Sequence, residues 1–389
     1  MKKLFLVDAY ALIFKYYYAF LGRPMRNREG MNTSVVFGFV KFLRDIQKRE
    51  RPDLLGVAFD PKGGSFRRDI FPEYKANRSE TPEDILLSIP YVKRVLDAMC
   101  IPILEVAGYE ADDVIGTLSQ KGVEAGYDVY MVTPDKDYGQ LVRDNCRIYK
   151  QRGAEGSIEI VDREAIREKY GIDDPQLVRD ILALWGDASD NIPGVPGIGE
   201  KGACKLVQTW GTVENILSNV ERIKGRQGES IAAWGDKLLL AKRLTTIRLD
   251  VPIEFRPEEL TMCPPNLDEL RALFAELDFT MFLRDLQNVA PLEESDGPRQ
   301  DPQRQLAEMA RAKSAAAKKA ALVGQGDLFA PADPAPAAAA PVADDEEVDE
   351  TDALPAEPEM ESAKTTPNDY RIVRTADELR AMIAEIRRY

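Results

Sequence analysis

Residues 128–137, DVYMVTPDKD, read as a nearly unbroken apolar run, Asp128 to Thr133, that stops at two carboxylates, Asp135 and Asp137. The same grammar occurs twice upstream: Lys3 to Val7 runs into Asp8, and Leu54 to Phe59 runs into Asp60. Continuous short apolar runs are the signature of strands covered on both faces. Helical patterns separate them, at Val35 to Lys48, Pro82 to Met99 and Ala111 to Glu124. Strands alternating with helices in this order predict an α/β fold with a largely parallel central sheet and flanking helices. From about Pro175 to Ala290 the pattern is mostly helical, broken by glycine and proline at Gly194 to Gly199, Gly211 and Gly225.

Working outward, 389 residues are enough for two ordinary domains or for one large one with an appendage. The net charge of −14 alone argues against nucleic acid. Its distribution reverses that argument. Residues 1–100 hold 18 basic and 12 acidic side chains, whereas residues 101–200 hold 10 and 20, and residues 291–365 hold 7 and 17. Much of the acidity therefore belongs to a tail. From Ala330 to Ala343 twelve of fourteen residues are Ala or Pro, followed by an acidic run at Asp344 to Glu350, which reads as a linker unable to form its own core. Within the tail, Gln303 to Leu322 reads as a transient helix, and after it residues 366–389 read as the opening strand and helix of a further domain.

The chain has no histidine, which excludes His-dependent triads, histidine general acids and the common zinc sites. Cys100, Cys146, Cys204 and Cys263 are scattered without a C-x-x-C pair, and no secretory leader is visible. A reduced cytoplasmic protein is expected. No run of about 18 apolar residues is present, so no membrane partner is expected.

What remains is carboxylate chemistry. To Asp8, Asp60, Asp135 and Asp137 the segment GYEADDVIGTL adds Glu110, Asp112 and Asp113, and GDASDNIP adds Asp187 and Asp190. In open parallel sheets ligands bind at the carboxyl ends of strands. Any one of these acids has an ordinary alternative as a helix cap or turn residue. Taken together they need cations, because two like charges about 4 Å apart repel by about 4 kcal/mol at an effective dielectric of 20. Oxygen-only ligands suit Mg²⁺ or Mn²⁺. Two such ions would serve phosphoryl transfer or phosphodiester hydrolysis.

Five segments in sequence order, LFLVDAYALI (4–13), GVAFDPKG (56–63), GYEADDVIGTL (108–118), TPDKDYGQLV (133–142) and GDASDNIPGVPGIGEKGA (186–203), resemble the flap endonuclease family found at the N-terminus of bacterial DNA polymerase I. The resemblance covers about residues 1–290. It implies a PIN-like nuclease core over 1–172, a basic arch over about 61–90, and a helical duplex-binding module with a Gly-rich hairpin over 173–290. It also implies a linker over 291–365 and the start of a truncated proofreading-like domain over 366–389, without nucleotide incorporation by this chain. The activity implied is 5′ to 3′ exonuclease and flap cleavage on DNA and RNA primers, by a monomer.

On the same resemblance Asp8, Asp60, Glu110 and Asp112, with Asp113 beside them, form a first metal site. Asp135, Asp137, Asp187 and Asp190 form the second and its surroundings, so that cations rather than a protein base activate the attacking water. Arg67, Arg68, Lys75 and Arg78 lie on the arch, with Lys75 and Arg78 neutralising the scissile phosphate and Tyr74 placed to stack on an unpaired base or to pack. Lys15 stands seven residues after Asp8, where the family has arginine, and keeps the charge but not the bidentate fork.

Gly197 and Gly199 would let backbone amides approach a phosphate closely, and the resemblance implies that the hairpin from Gly194 grips duplex backbone, with Lys201 near phosphate and K⁺ held by backbone carbonyls. QGDLF, with Gln325, Leu328 and Phe329, resembles a sliding-clamp-binding peptide. Two rivals stand beside this reading: a catalytically silent DNA-binding module that positions a polymerase, and a phosphatase-like hydrolase of small substrates.

Overall fold

A computed structural model describes residues 1–152 and 157–287. The expected linker, the proofreading-like start and the clamp peptide Gln325, Leu328 and Phe329 lie outside the described residues. The three apolar runs form strands β1 (Lys3–Asp8), β2 (Leu54–Ala58) and β4 (Asp128–Val132), with the short β3 (Ile103–Leu104) beside β2. Strands β5 (Cys146–Arg152) and β6 (Ser157–Val161) complete a six-stranded sheet of order β3-β2-β1-β4-β5-β6. All neighbours pair in parallel except β6, which runs antiparallel to β5. In register, Asp8 lies opposite Ala58, and Val7 opposite Val132, so β1, β2 and β4 end at one level.

The strands are apolar on both faces because helices cover both. Helices α1 (Ala9–Ala19), α2 (Ser34–Glu50) and α4 (Glu83–Ala98) pack with Phe5, Val7, Leu55 and Val57 on one side. On the other, α5 (Ala111–Glu124), α6 (Arg163–Tyr170) and α7 (Val178–Trp185) pack with Leu4, Leu6, Val129 and Met131. Phe5 and Leu6 are fully buried, each contributing about 1.5–3 kcal/mol. A short α3 (Phe66–Ile70) lies in the basic segment. A two-stranded hairpin, β7 (Gly186–Asp187) with β8 (Ile192–Pro193), follows α7.

The helices that follow residue 173 pack on both faces of the sheet. Helices α8 (Glu200–Trp210), α9 (Val213–Ser218) and α10 (Arg226–Thr245) extend the cluster that contains α5 and α7. After the short α11 (Pro257–Leu260), helices α12 (Leu267–Glu276) and α13 (Thr280–Gln287) return to the opposite face, where Leu273, Phe274 and Phe282 join the cluster of α2 and α4. The described residues, through 287, fall in one compact unit with a core continuous through both expected parts.

The cysteine reading needs correction. Cys100 and Cys263, 163 residues apart in sequence, are disulfide-bonded with Cα atoms 5.7 Å apart. Cys146 and Cys204 are free. No helix among the described residues is long and apolar enough to cross a membrane.

Candidate active site

Strand ends and helix starts bring the acids together. Asp8 ends β1 and caps α1, accepting from the Ala11 amide at 3.1 Å. Its other oxygen accepts from Tyr138 Oη at 3.1 Å and Thr133 Oγ1 at 3.4 Å. Asp60, just beyond β2, accepts from the Ala111 amide at 2.7 Å, which ties the second strand end to the start of α5. Asp135 begins a 3₁₀ turn over Lys136–Leu141 and accepts from the Asp137 amide at 3.0 Å. Asp187 accepts from Ser189 amide and hydroxyl at 2.9 and 2.5 Å at the β7–β8 turn.

The basic segment closes over them. Lys75 Nζ lies 2.9 Å from Glu110 Oε2 and 3.8 Å from Asp190 Oδ2, bridging the two groups of acids. Arg78 reaches Asp190 Oδ1 at 2.6 Å. Lys75 holds a left-handed backbone, φ 57°, unusual for a non-glycine residue, and its amide donates to the Asp190 carbonyl at 3.0 Å. The segment expected as an arch is thus fastened here to the Asp187–Asp190 turn, with Asn77 and Arg78 donating to the Ala188 and Ser189 carbonyls.

Burial gives Arg67 and Asp113 roles other than those expected, and Tyr74 follows the packing alternative. Arg67, 1 % exposed, does not face substrate: it donates to both oxygens of Asp113, at 2.7 and 2.9 Å, and to the Leu244 and Thr246 carbonyls. Asp113, fully buried, also accepts from the Glu110 and Arg248 amides, so its lone pairs are committed to folding rather than to a metal. Tyr74, 3 % exposed, cannot stack on a base. Its hydroxyl lies 3.0 Å from Glu110 Oε2 and 2.8 Å from Asp190 Oδ2 and positions those carboxylates. Lys15 is held against the end of β5, donating to the Gln151 carbonyl at 2.6 Å.

Burial, then the charges of Asp60 and Asp135, push the Asp8 carboxyl up to about 7 against the donation of the Ala11 amide and Tyr138. Burial is also the leading cause that raises Asp60, Asp112, Asp135 and Asp137, with neighbouring acids adding to it. Glu110 moves the other way, lowered by Lys75 and Arg67 against its own burial. Asp137 Oδ1 is buried without a hydrogen-bond partner.

Among the described residues no three acids close into a ready-made ion cage. An open set of partly hydrogen-bonded carboxylates fits a cation that keeps several of its waters, as Mg²⁺ does. The orphaned Asp137 oxygen and the raised carboxyls mark where positive charge is missing, so the donor set fits a divalent ion.

Sequence reasoning passed over Tyr138, Ser65 and Lys136. Tyr138 is fully buried beneath Asp8, Ser65 Oγ donates to Glu110 Oε1 at 2.9 Å, and Lys136 Nζ lies 3.7 Å from Asp187 Oδ2. Tyr138 and Lys136 stand inside TPDKDYGQLV, where adjacency to the acids was the available signal.

Residues 3–171 match the family described as 5′-3′ exonuclease, N-terminal resolvase-like domain, and residues 173–268 match 5′-3′ exonuclease, C-terminal SAM fold. A 5′-3′ exonuclease of Aquifex aeolicus is 34% identical over 289 residues, which span 74% of this chain and 96% of that protein. The chain belongs to the 5′-3′ exonuclease family. Family membership makes it a nuclease of the phosphodiester-hydrolase class.

DNA polymerase I of Bacillus caldotenax is 38% identical to this 5′-3′ exonuclease-family chain over 295 residues, 75% of the chain and 33% of the relative. DNA polymerase I of Bacillus subtilis is 36% identical over 302 residues. The chain spans about a third of the length of these polymerases. In fold, bacteriophage T5 5′-exonuclease with bound zinc superposes with a TM-score of 0.53 at 21% identity, covering 75% of this chain and all of that one. The catalytic core of Rad2 in complex with DNA substrate superposes with a TM-score of 0.50 at 17% identity, over 73% of this chain and 92% of that one.

Proposed function

We propose that this chain is a divalent-metal-dependent 5′ to 3′ exonuclease and 5′ flap endonuclease acting on DNA and on RNA primers. The observation that supports it most is Lys75, set between Glu110 and Asp190, so that one cationic side chain serves both groups of acids at the carboxyl ends of a parallel sheet. Asp8, Asp60, Glu110 and Asp112 would hold one ion, and Asp135, Asp137, Asp187 and Asp190 would hold or orient a second. Ions held there would supply an activated water and charge neutralisation at the leaving oxygen.

The chain's own groups do the rest. Lys75 and Arg78 exchange carboxylate partners for the scissile phosphate, and Tyr74 keeps Glu110 and Asp190 oriented while that exchange occurs. The duplex is taken at the hairpin Gly194 to Lys201, where Gly199 opens α8 without a side-chain cap and leaves its first amides free for phosphate, with K⁺ as a further ligand there. Sliding-clamp binding through Gln325, Leu328 and Phe329 belongs to the same reading, with a cytoplasmic monomer as the working form.

The test is cleavage of a 5′-labelled flap duplex with Mg²⁺, with EDTA, and by the Asp112→Asn and Asp135→Asn variants. Metal-dependent cutting near the junction that both variants lose is the expected result. Tight flap binding with intact DNA under every condition would instead identify a silent positioning module.

A further inference from the structure

A cavity of about 170 Å³ lies between α2, the end of α4, α12 and α13, and none of the acids of the candidate active site lines it. Met99, Leu270, Phe274 and Leu286 form its apolar wall, and Arg44 and Cys263 stand on the same wall. An apolar cavity of about 150 Å³ takes up a molecule the size of benzene, so a small organic ligand fits here. Arg44 is only half satisfied. Its Nη2 meets Asp285 Oδ2 at 2.8 Å, and its guanidinium stands 5.0 Å over the Phe282 ring. Its Nη1 is buried without a hydrogen-bond partner among the described residues. A buried N–H without an acceptor is costly, and the oxygen of an anion answers a guanidinium best. Gln47, one turn further along α2, gives its Nε2 only to Met262 Sδ, a weak acceptor, at 3.5 Å. An apolar wall with an open donor suits a small molecule that carries a carboxylate.

The same cavity wall contains one sulfur of the Cys100–Cys263 disulfide. Cys263 is exposed, whereas Cys100 is half-buried. Exposed disulfides are the labile ones, and an incoming thiolate reaches the sulfur that solvent reaches. Opening the bond need not part the two segments. The Ile101 amide donates to the Leu96 carbonyl at 2.9 Å, which fixes the chain around Cys100 at the end of α4, and the Asn266 amide donates to the Ala98 carbonyl at 2.7 Å, which fixes the chain after Cys263 beside it. The two sulfurs therefore stay within reach of each other, and the bond can close again.

We propose that this cavity is a thiol-exchange site, which seats a small thiol bearing a carboxylate with the carboxylate on Arg44 Nη1 and the sulfur at Cys263. The ligand's thiolate attacks Cys263 Sγ and forms a new S–S bond there. The Cys100–Cys263 bond breaks, and its electron pair leaves on Cys100 Sγ, which takes a proton from water. The ligand sulfur is oxidised and Cys100 is reduced, so no further oxidant enters. Attack of the Cys100 thiolate on the mixed disulfide reverses the step. Attack of a second ligand thiolate on the ligand's own sulfur frees Cys263 and completes the reduction. The site does not depend on the nuclease reading.

The test follows opening of the disulfide in the full chain by 3-mercaptopropionate and by the neutral 2-mercaptoethanol, with acid quenching and alkylation of the freed thiols. Rates are expressed per thiolate, so that the acidity of the reagent does not decide the comparison. Wild type should open about tenfold faster with the acidic thiol, the effect of one charge-assisted hydrogen bond. Arg44→Gln should abolish that preference and leave the mercaptoethanol rate unchanged, and Arg44→Lys should recover part of it. Leu286→Trp, which fills the cavity from α13 with Arg44 in place, should abolish the preference as well. Arg49→Gln, which removes the same charge from an exposed position of α2, should keep it. Mass spectrometry of the trapped adduct should place the ligand on Cys263. Equal rates for the two thiols in wild type, a preference that survives both Arg44→Gln and Leu286→Trp, an equal loss in Arg49→Gln, or an adduct on Cys100 overturns the site.

Discussion

Arg67 and Asp113 face each other as a two-pronged ion pair, 2.7 and 2.9 Å long, in which the arginine is 1 % and the aspartate 0 % exposed. The pair joins α3 to the first turn of α5, and Arg67 carries it onward to the carbonyls of Leu244 and Thr246 at the end of α10. Glu110 and Asp112 flank it at 3.5 and 3.7 Å from the guanidinium. Arg67 is therefore a positioning residue that fixes two proposed metal ligands.

Removing either partner leaves a buried charge unpaired, so Arg67→Met or Asp113→Asn should cost about 3–5 kcal/mol in urea unfolding. Arg67→Lys should recover less than half, because one ammonium cannot reproduce the fork. Calorimetric Mn²⁺ titration of Arg67→Lys should show weakened binding. Unaltered Mn²⁺ affinity in that variant would separate Arg67 from the metal site.

Stability of the metal-free chain should fall as pH rises. Asp8 ionises near 3.9 when unfolded but only at about 7 when folded, so between those values the folded chain holds a proton that the unfolded chain has released. The sign is loss of stability through that window, about 4 kcal/mol for this one group, with a plateau above it. Asp60, Asp112, Asp135 and Asp137 act in the same direction. In EDTA the Tm should drop by several degrees from pH 5 to pH 7.5, while 10 mM Mg²⁺ should raise it strongly at pH 7.5 and little at pH 5. A flat EDTA profile would show that the acids are already neutralised within the fold.

The sequence made the strands and the acid positions legible because both are local: an apolar run that stops at Asp8 or Asp135 is visible in ten residues, and α5 spans the expected Ala111–Glu124. Partnership is not local. A run containing Arg67, Arg68, Lys75 and Arg78 has one appearance whether a side chain will meet phosphate or a buried carboxylate, and only the 46-residue separation closed by Asp113 decides it. Tyr74 was ambiguous for the same reason. The return of α12 and α13 to the α2 and α4 face, and the pairing of Cys100 with Cys263, join distant segments without a local mark.

That cysteine pair gives a count. Purified without reductant and then denatured, the chain should titrate two thiols, Cys146 and Cys204, and four after reduction. In the native state Cys204 should react first, since burial pushes the Cys146 thiol up to about 11 and shields it completely. Opening a loop of this length, by reduction or by Cys263→Ser, should cost about 2–5 kcal/mol. Four thiols in the unreduced denatured chain would show that the two sulfurs are neighbours without being bonded.

The glycines of the hairpin should separate folding from binding. A Cβ on Gly194 would stand 2.0 Å from the Trp185 carbonyl oxygen and 2.6 Å from the Gly186 nitrogen, both backbone atoms that cannot swing aside. Gly194→Ala must therefore part β7 from β8, at about 3 kcal/mol, and disturb Asp187 with it. Gly199 differs: its φ is −91° and nothing lies within 4 Å of an added Cβ. Gly199→Ala should leave the Tm within about a degree of wild type, because it creates no clash and no strain. The added methyl would nevertheless occupy space beside the uncapped first amides of α8, where a phosphate oxygen must come within hydrogen-bond distance. Flap-duplex affinity should fall severalfold in Gly199→Ala, with cleavage at saturating substrate preserved. Wild-type affinity in a correctly folded Gly199→Ala chain would move the duplex contact away from this hairpin.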